Sequence, residues 1–280
     1  MTISFLYKFF FSNNTLNTIK MNEQTNLVSI NELTLKQIAS ICDHTFLNRS
    51  EAYKKIAEKG QSPVKLRAEA FNSFLEETIS DEEKLPYAVC VRPEDVATAV
   101  NYFAEKEKEE VLIASVVGFP DGSLYDPGFK VLETEVTINR GAKEIDMVIN
   151  YDKLKAGDID YVEDEVYAVV SVAHDEDVLV KLILETSELD KEQIKKACDI
   201  ANETGVDFVK TSTGFSAYGA RTEDLAIMRK YFNKGVKISG GVKPENFREL
   251  LFAASGRADG YIRLSPDYIR IGESSLLRML

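Results

Sequence analysis

Eight times along this chain a short apolar run is followed by a stretch of helical periodicity, and no other feature narrows the possible folds as much. The runs fall at residues 41–46, 88–91, 111–117, 144–150, 178–184, 206–209, 236–238 and 268–271. Each is too short for a buried helix and rich enough in Val and Ile for a buried strand. The helical signals between them are specific. Pro93 stands where a helix opens, followed by Val96, Ala99, Val100 and Phe103 on one face. Ile159, Val162, Val166, Val169, Val170 and Ala173 form a stripe after the fourth run. Asp190 with Gln193 reads as a capping box ahead of Ile194, Ala197, Cys198 and Ala201. Eight strand-helix units within about 250 residues predict an α/β chain folded as a single TIM (β/α)8 barrel over residues 31–280. A doubly wound open sheet is the competing architecture, but no G-x-G-x-x-G follows the first run.

The remaining composition removes several function classes. With 280 residues, 44% of them hydrophobic, the chain can bury a large core. A formal charge of -12 argues against nucleic acid and anionic membrane as partners, since both reward a basic face. Cys42, Cys90 and Cys198 are widely spaced, without CxxC or metal-ligand spacing. They predict free thiols, a reducing compartment and hence a cytoplasmic protein. Residues 1–30 are expected to be a disordered extension. Their apolar stretch at residues 3–11 lacks a basic flank and a cleavage site, and it is too short to span a bilayer. Met21 is an alternative start, and a targeting segment a further one. Between residues 48 and 86 two helices are expected, separated by a turn at residues 61–63.

A barrel gathers its chemistry at the carboxyl ends of the strands, and those positions are polar here: Asp43, Thr45, Cys90, Asp146, Lys181, Glu185, Lys210 and Lys237. Lys210 ends the sixth run and is followed by T-S-T-G, too turn-prone to continue a strand; Lys237 lies on the seventh. Neighbouring strands sit about 4.8 Å apart, so two lysines at matching heights bring their ammonium groups together. An isolated lysine is only roughly 0.04% neutral at pH 7. A like charge near 4 Å, at an effective dielectric of about 20, is worth about 4 kcal/mol and favours loss of one proton. A neutral buried amine can attack a carbonyl to give a Schiff base. Strand alternation places Glu144, Asp146 and Val148 on one face and Ile145 and Met147 on the other, so Asp146 is the candidate acid-base carboxylate. The alternatives are rim lysines that snorkel, a Lys181–Glu185 pair, or Asp146 as a structural partner of Lys181 or Lys210.

Two glycine-bearing loops suit an anion. Ser239-Gly240-Gly241 follows the seventh run, and Gly272-Glu273-Ser274-Ser275 follows the eighth and opens an apolar helix. Barrels frequently hold phosphate between these loops, on backbone N–H groups and a helix N-terminus, and Gly214 offers a third side. His44 and His174 are too few and too separated for a metal site. Cys90 near its strand end is expected to pack or to line the pocket.

The blocks A-V-C-V-R-P, V-V-G-F-P-D-G, G-A-K-E-I-D-M-V-I-N, K-L-I-L-E-T, G-V-D-F-V-K-T-S-T-G-F-S, V-K-I-S-G-G-V and R-I-G-E-S-S together resemble the deoxyribose-phosphate aldolases, class I Schiff-base aldolases on a TIM barrel. The resemblance runs from about Asp43 to Leu277. It implies reversible cleavage of 2-deoxy-D-ribose 5-phosphate to acetaldehyde and D-glyceraldehyde 3-phosphate, with no metal or other cofactor. By position it implies Lys210 as the Schiff-base lysine, Lys237 as the lysine that depresses its pKa and Asp146 as the acid-base aspartate. It places Thr45 and Thr213 near the substrate hydroxyls, and Gly214, Ser239, Gly240, Gly241, Gly272, Ser274 and Ser275 around the phosphate. A homo-oligomer, most simply a dimer, is the expected assembly.

The chain departs from the pattern in the long 48–86 segment, in an extended stretch at residues 257–266, and at Glu273, an acid inside the expected phosphate loop. Glu273 disfavours an anion unless it points outward. Another Schiff-base aldolase or a transaldolase on a different sugar phosphate is the alternative activity, and a barrel that only binds sugar phosphates is the non-enzymatic one.

Overall fold

The computed structural model describes residues 27–280. The expectations for the apolar start and Met21 lie outside the described residues. Eight strands close into a parallel barrel in sequence order, the last beside the first. They are β2 (Cys42–Phe46), β3 (Ala88–Val91), β4 (Leu112–Val117), β5 (Glu144–Val148), β6 (Leu179–Ile183), β7 (Phe208–Lys210), β8 (Gly235–Ser239) and β10 (Ile269–Glu273). Helices follow the strands, including Pro63–Thr78, Val96–Glu105, Pro127–Asn139, Ile159–Asp175, Lys191–Glu203, Thr222–Tyr231 and Phe247–Ser255. The eightfold rhythm is therefore a TIM barrel. Asp190 and Gln193 make the expected reciprocal cap, each side chain on the other's backbone N–H at 2.9 Å.

The barrel departs from expectation at its margins. Leu27–Ser29 form β1, which pairs antiparallel with β9 (Tyr261–Arg263) outside the barrel. Residues 27–29, inside the segment expected as an extension, are thus a strand, and the long 257–266 stretch supplies its partner. The short strand escaped notice because three residues carry too little alternation to read. The 48–86 segment contains a single turn of helix, Ser50–Tyr53, then the long helix Pro63–Thr78, which Ser62 caps through the Lys65 N–H.

Strand alternation sorts the core into two layers. Val89, Val91, Ile145, Met147, Val180, Leu182, Val209, Val236, Ile238, Ile269 and Ile271 point outward and are buried against the helices. Cys90, Ala114, Val116, Val148 and Ile183 point inward and pack with Leu47 and Phe119. The inward positions Asp43, Glu144, Asp146, Lys181, Lys210, Lys237 and Arg270 carry charge, and they belong to the site below. Outside the lumen, one buried ion pair ties the helices to the end of β5. Lys130 Nζ donates to Glu165 Oε1 at 2.6 Å and to the Val148 carbonyl at 2.9 Å, while Glu165 Oε2 accepts the Asn150 N–H at 3.0 Å. Burial pushes the lysine down and the carboxyl up, so each ion depends on the other. Among the described residues no helix is long and apolar enough to cross a membrane.

Lys130→Met strands a buried carboxylate, and denaturant unfolding is expected to show a loss of about 3–5 kcal/mol. Adding Glu165→Gln, which keeps an acceptor for Asn150, recovers part of that loss.

Candidate active site

Asp146 stands at the centre of a buried cluster of ionic side chains in the lumen. It lies on β5 opposite Lys181 of β6, and Lys210 of β7 lies opposite Lys237 of β8. The matched heights expected for the two lysines are thus present in the strand register. Asp146 Oδ1 accepts from Lys181 Nζ at 2.8 Å; Oδ2 accepts from Lys210 Nζ at 2.8 Å and from Lys237 Nζ at 2.7 Å. The Cys90 thiol also points at Oδ2, at 3.7 Å. Lys210 is 2% exposed, and Asp146, Lys181 and Lys237 are fully buried.

These contacts fix the charge states. Burial alone would raise the Asp146 carboxyl, but Lys181, Lys210 and Lys237 hold it well below the ordinary carboxylate range. Burial would likewise lower Lys237, but Asp146 and Asp43 hold it above the ordinary lysine value. The lysine pair is therefore not a bare one: a shared carboxylate oxygen stands between the two lysine nitrogens and offsets much of the repulsion expected from spacing alone. Burial pushes the Cys90 thiol up to about 11, so it is a neutral, packed neighbour of the pocket.

Further charged groups complete the cluster: Asp43, legible in the sequence as a polar strand end but given no role there, with Glu144 and Arg270. Asp43 of β2 accepts from Lys237 Nζ and, through Oδ1, from Arg270 Nη1 at 2.6 Å. Glu144 of β5 accepts from Lys181 Nζ at 2.5 Å and from Arg270 Nη2 at 2.8 Å. Arg270 of β10 is fully buried beneath the Tyr87 ring, its guanidinium 3.8 Å from the ring centre. A usable signal existed in I-R-I, an arginine alternating with isoleucines in a strand pattern. Lys181 bonds to Glu144 and Asp146, not to Glu185; Glu185 accepts the Thr213 hydroxyl and, at 3.2 Å, the Thr213 N–H.

Above this cluster lies a cavity of about 770 Å³. Its walls include Thr45, Thr213, Gly214, Ser239, Gly240, Gly241, Gly272, Ser274 and Ser275, so every residue expected at the substrate hydroxyls and phosphate lies at one cavity. Thr45, Thr213, Ser239 and Gly272 follow Asp43, Lys210, Lys237 and Arg270 by two or three residues, which sets the ionic cluster one layer deeper in the barrel. Ala70, Ser73, Phe74 and Glu77 of the helix Pro63–Thr78 form another wall, giving the long 48–86 segment a place at the site. Lys243 and Arg278 bring cations to the cavity that sequence reasoning did not select. Gly240 has φ +85°, and a Cβ on it would fall 2.8 Å from Gly219 Cα, so only glycine fits this turn. A Cβ at Gly272 would sit 3.1 Å from Lys237 Cε; its absence leaves room above that lysine.

Glu273 also lines the cavity, but its carboxylate is turned to the protein's own donors and not aimed at the loops. Its strand parity is that of Ile269 and Ile271, facing away from the lumen. Its Oε1 meets His44 Nδ1 at 2.6 Å, and its Oε2 accepts the Leu276 N–H at 2.6 Å and the Leu277 N–H at 3.4 Å. His44 in turn stacks on Phe74 at 4.6 Å. The helix N-terminus expected to serve phosphate is thereby partly occupied by the protein's own carboxylate. His174, at its helix end, meets Asp207 at 2.8 Å. Among the described residues no group of His, Cys, Asp and Glu forms a metal-holding cluster.

Comparison with known proteins agrees with this geometry. A deoxyribose-phosphate aldolase of Thermococcus gammatolerans is 48% identical over 159 residues, covering 56% of this chain and 70% of the relative. One of Caldicellulosiruptor saccharolyticus is 38% identical over 229 residues, covering 80% and 94%. The solved structure of the tetrameric deoxyribose phosphate aldolase of Aeropyrum pernix superposes with a TM-score of 0.66 at 25% identity, covering 89% of this chain and 92% of that one. The DeoC/LacD family aldolase model matches residues 39–276, nearly the whole described chain, and the protein belongs to that family.

Proposed function

We propose that this chain is a class I aldolase that reversibly cleaves 2-deoxy-D-ribose 5-phosphate through a Schiff base on Lys210. The observation that carries the assignment of roles is the shared Asp146 Oδ2, which holds Lys210 and Lys237 together directly beneath a cavity walled by glycine and serine loops. The phosphate sits among the backbone N–H groups of Gly214, Gly240, Gly241, Ser274 and Ser275, with Lys243 and Arg278 supplying positive charge. Thr45 and Thr213 lie along the sugar between the phosphate and Lys210.

The neutral Lys210 amine attacks the C1 aldehyde, and the carbinolamine loses water to leave an iminium. Asp146, with a water, then takes the proton of the C3 hydroxyl. As that oxygen becomes the carbonyl of D-glyceraldehyde 3-phosphate, the C2–C3 bond breaks and its electron pair enters the iminium to form an enamine. Proton return to C2 and hydrolysis release acetaldehyde and regenerate the amine. The iminium itself is the electron sink. Lys237, held charged by Asp146 and Asp43, keeps Asp146 anionic and donates hydrogen bonds to the developing alkoxide or its water. The buried free thiols suit a cytoplasmic enzyme. Exposed Phe129, Leu132 and Val136 on the helix Pro127–Asn139 support a homo-oligomer.

Borohydride with acetaldehyde is expected to fix a two-carbon unit on Lys210 by mass mapping; an adduct with dihydroxyacetone instead would assign a different aldolase. Lys210→Leu abolishes turnover and leaves the circular dichroism spectrum unchanged. Glu273→Gln, which removes a negative charge near the phosphate loops, is expected to lower the inhibition constant of inorganic phosphate by about threefold to tenfold.

A further inference from the structure

The ionic lumen contains more cations than anions, and the surplus falls on one residue. Asp43, Glu144 and Asp146 are its buried carboxylates; Lys181, Lys210, Lys237 and Arg270 are its buried cations. With six of the seven ionised and Lys210 an uncharged amine, the lumen is neutral. Geometry says which proton is the spare one. Lys181 contacts Glu144, Asp146 and, at 3.6 Å, Asp43; Lys237 contacts Asp43 and Asp146, and Arg270 contacts Asp43 and Glu144. Lys210 contacts Asp146 alone, through an oxygen that Lys237 also uses. Every other cation is held by at least two carboxylates.

We propose that Arg270 is a positioning residue for the aldolase reaction. From the lumen floor it satisfies Asp43 and Glu144, so that these carboxylates need no proton from Lys210 and the amine is left free to attack. Arg270 touches neither Lys210 nor the cavity. It acts through charge. Its remaining contacts are to neutral groups: the Pro266 carbonyl and the rings of Tyr87 and Phe208. Around Lys210 the charged or titratable neighbours are Asp146, Lys181, Lys237, Asp43 and the Cys90 thiol, all in the lumen, with Glu185 on the loop above bonded to Thr213. The burial of the whole set makes a unit change of charge matter, because buried charges are screened far less than exposed ones. This inference rests on Lys210 being the Schiff-base lysine.

The test follows the rate of borohydride-trapped acetaldehyde adduct at Lys210, in the full chain, from about pH 5 to about pH 10. The rate rises with the neutral amine, so its midpoint reports Lys210. Arg270→Met removes a positive charge; the lumen is then neutral with Lys210 protonated, and the midpoint is expected to move up by on the order of one pH unit. Arg270→Lys, which keeps the charge, holds the wild-type midpoint. The double variant Arg270→Met with Glu144→Gln restores the balance of charge and returns the midpoint to the wild-type position. A merely structural arginine would give no such restoration. The inference is overturned if the adduct forms at Lys210 but Arg270→Met leaves the midpoint where it was, or if the double variant stays as displaced as the single one. Should Arg270→Met fail to fold, Glu144→Gln alone decides: it removes an anion and must move the midpoint down, and a fixed or raised midpoint overturns the proposal. No adduct at Lys210 in the wild-type chain at any pH removes the Schiff-base assignment itself, and this inference with it.

Discussion

Three lysines converge on one buried carboxylate, and the site has its form because Asp146 can accept from all of them. A lone carboxylate in a protein interior would protonate, and a lone ammonium there would lose its proton. Together in the lumen they hold each other ionised: Asp146 well below its ordinary range, Lys237 and Lys181 above theirs. Burying so many ions contributes little to net stability, because desolvation offsets most of the attraction. The apolar layer between strands and helices is what stabilises the barrel, and it leaves the inward positions open to chemistry. The arrangement has value as preorganisation: the groups stand in position on the strands of a closed barrel before a substrate arrives.

What was legible in the sequence follows from what is local. The barrel announces itself through two periods, near 2 in the strands and 3.6 in the helices, and both are short-range. Lys210, Lys237 and Asp146 were found because each interrupts an apolar run with a charge of fixed parity. Thr213, Gly214, Ser239, Gly240 and Gly241 came with them, as the first residues of the same loops. The identity of the substrate rested on the resemblance of several blocks and not on any spacing.

What escaped the sequence is the pairing of these residues, which is non-local. Asp43 and Lys237 are 194 positions apart, and Arg270 and Glu144 are 126 apart, so their pairing exists only once the barrel closes. Lys181 was assigned the nearby Glu185 as a possible partner, because proximity in sequence was all that could be weighed; the closed barrel gives it Glu144 and Asp146 instead. The repulsion inferred between Lys210 and Lys237 was a pairwise estimate, and it omitted the carboxylate that stands between them. A cluster of this kind has collective charge, and no pair within it describes the protonation of the others.

The last barrel strand shows how little separates a working site from a failed one. Along β10, Arg270 faces the lumen, Ile271 the helices, Gly272 the space above Lys237, and Glu273 the outside, where His44 and the Leu276 and Leu277 N–H groups receive its charge. A register slip of one residue would exchange those faces. It would turn Glu273 toward the lumen and set Arg270 in the apolar layer between strands and helices, away from Asp43 and Glu144. The alternation Ile269, Ile271 is therefore as much a part of the active site as the lysines are: by fixing which face is apolar, it decides which charge enters the lumen.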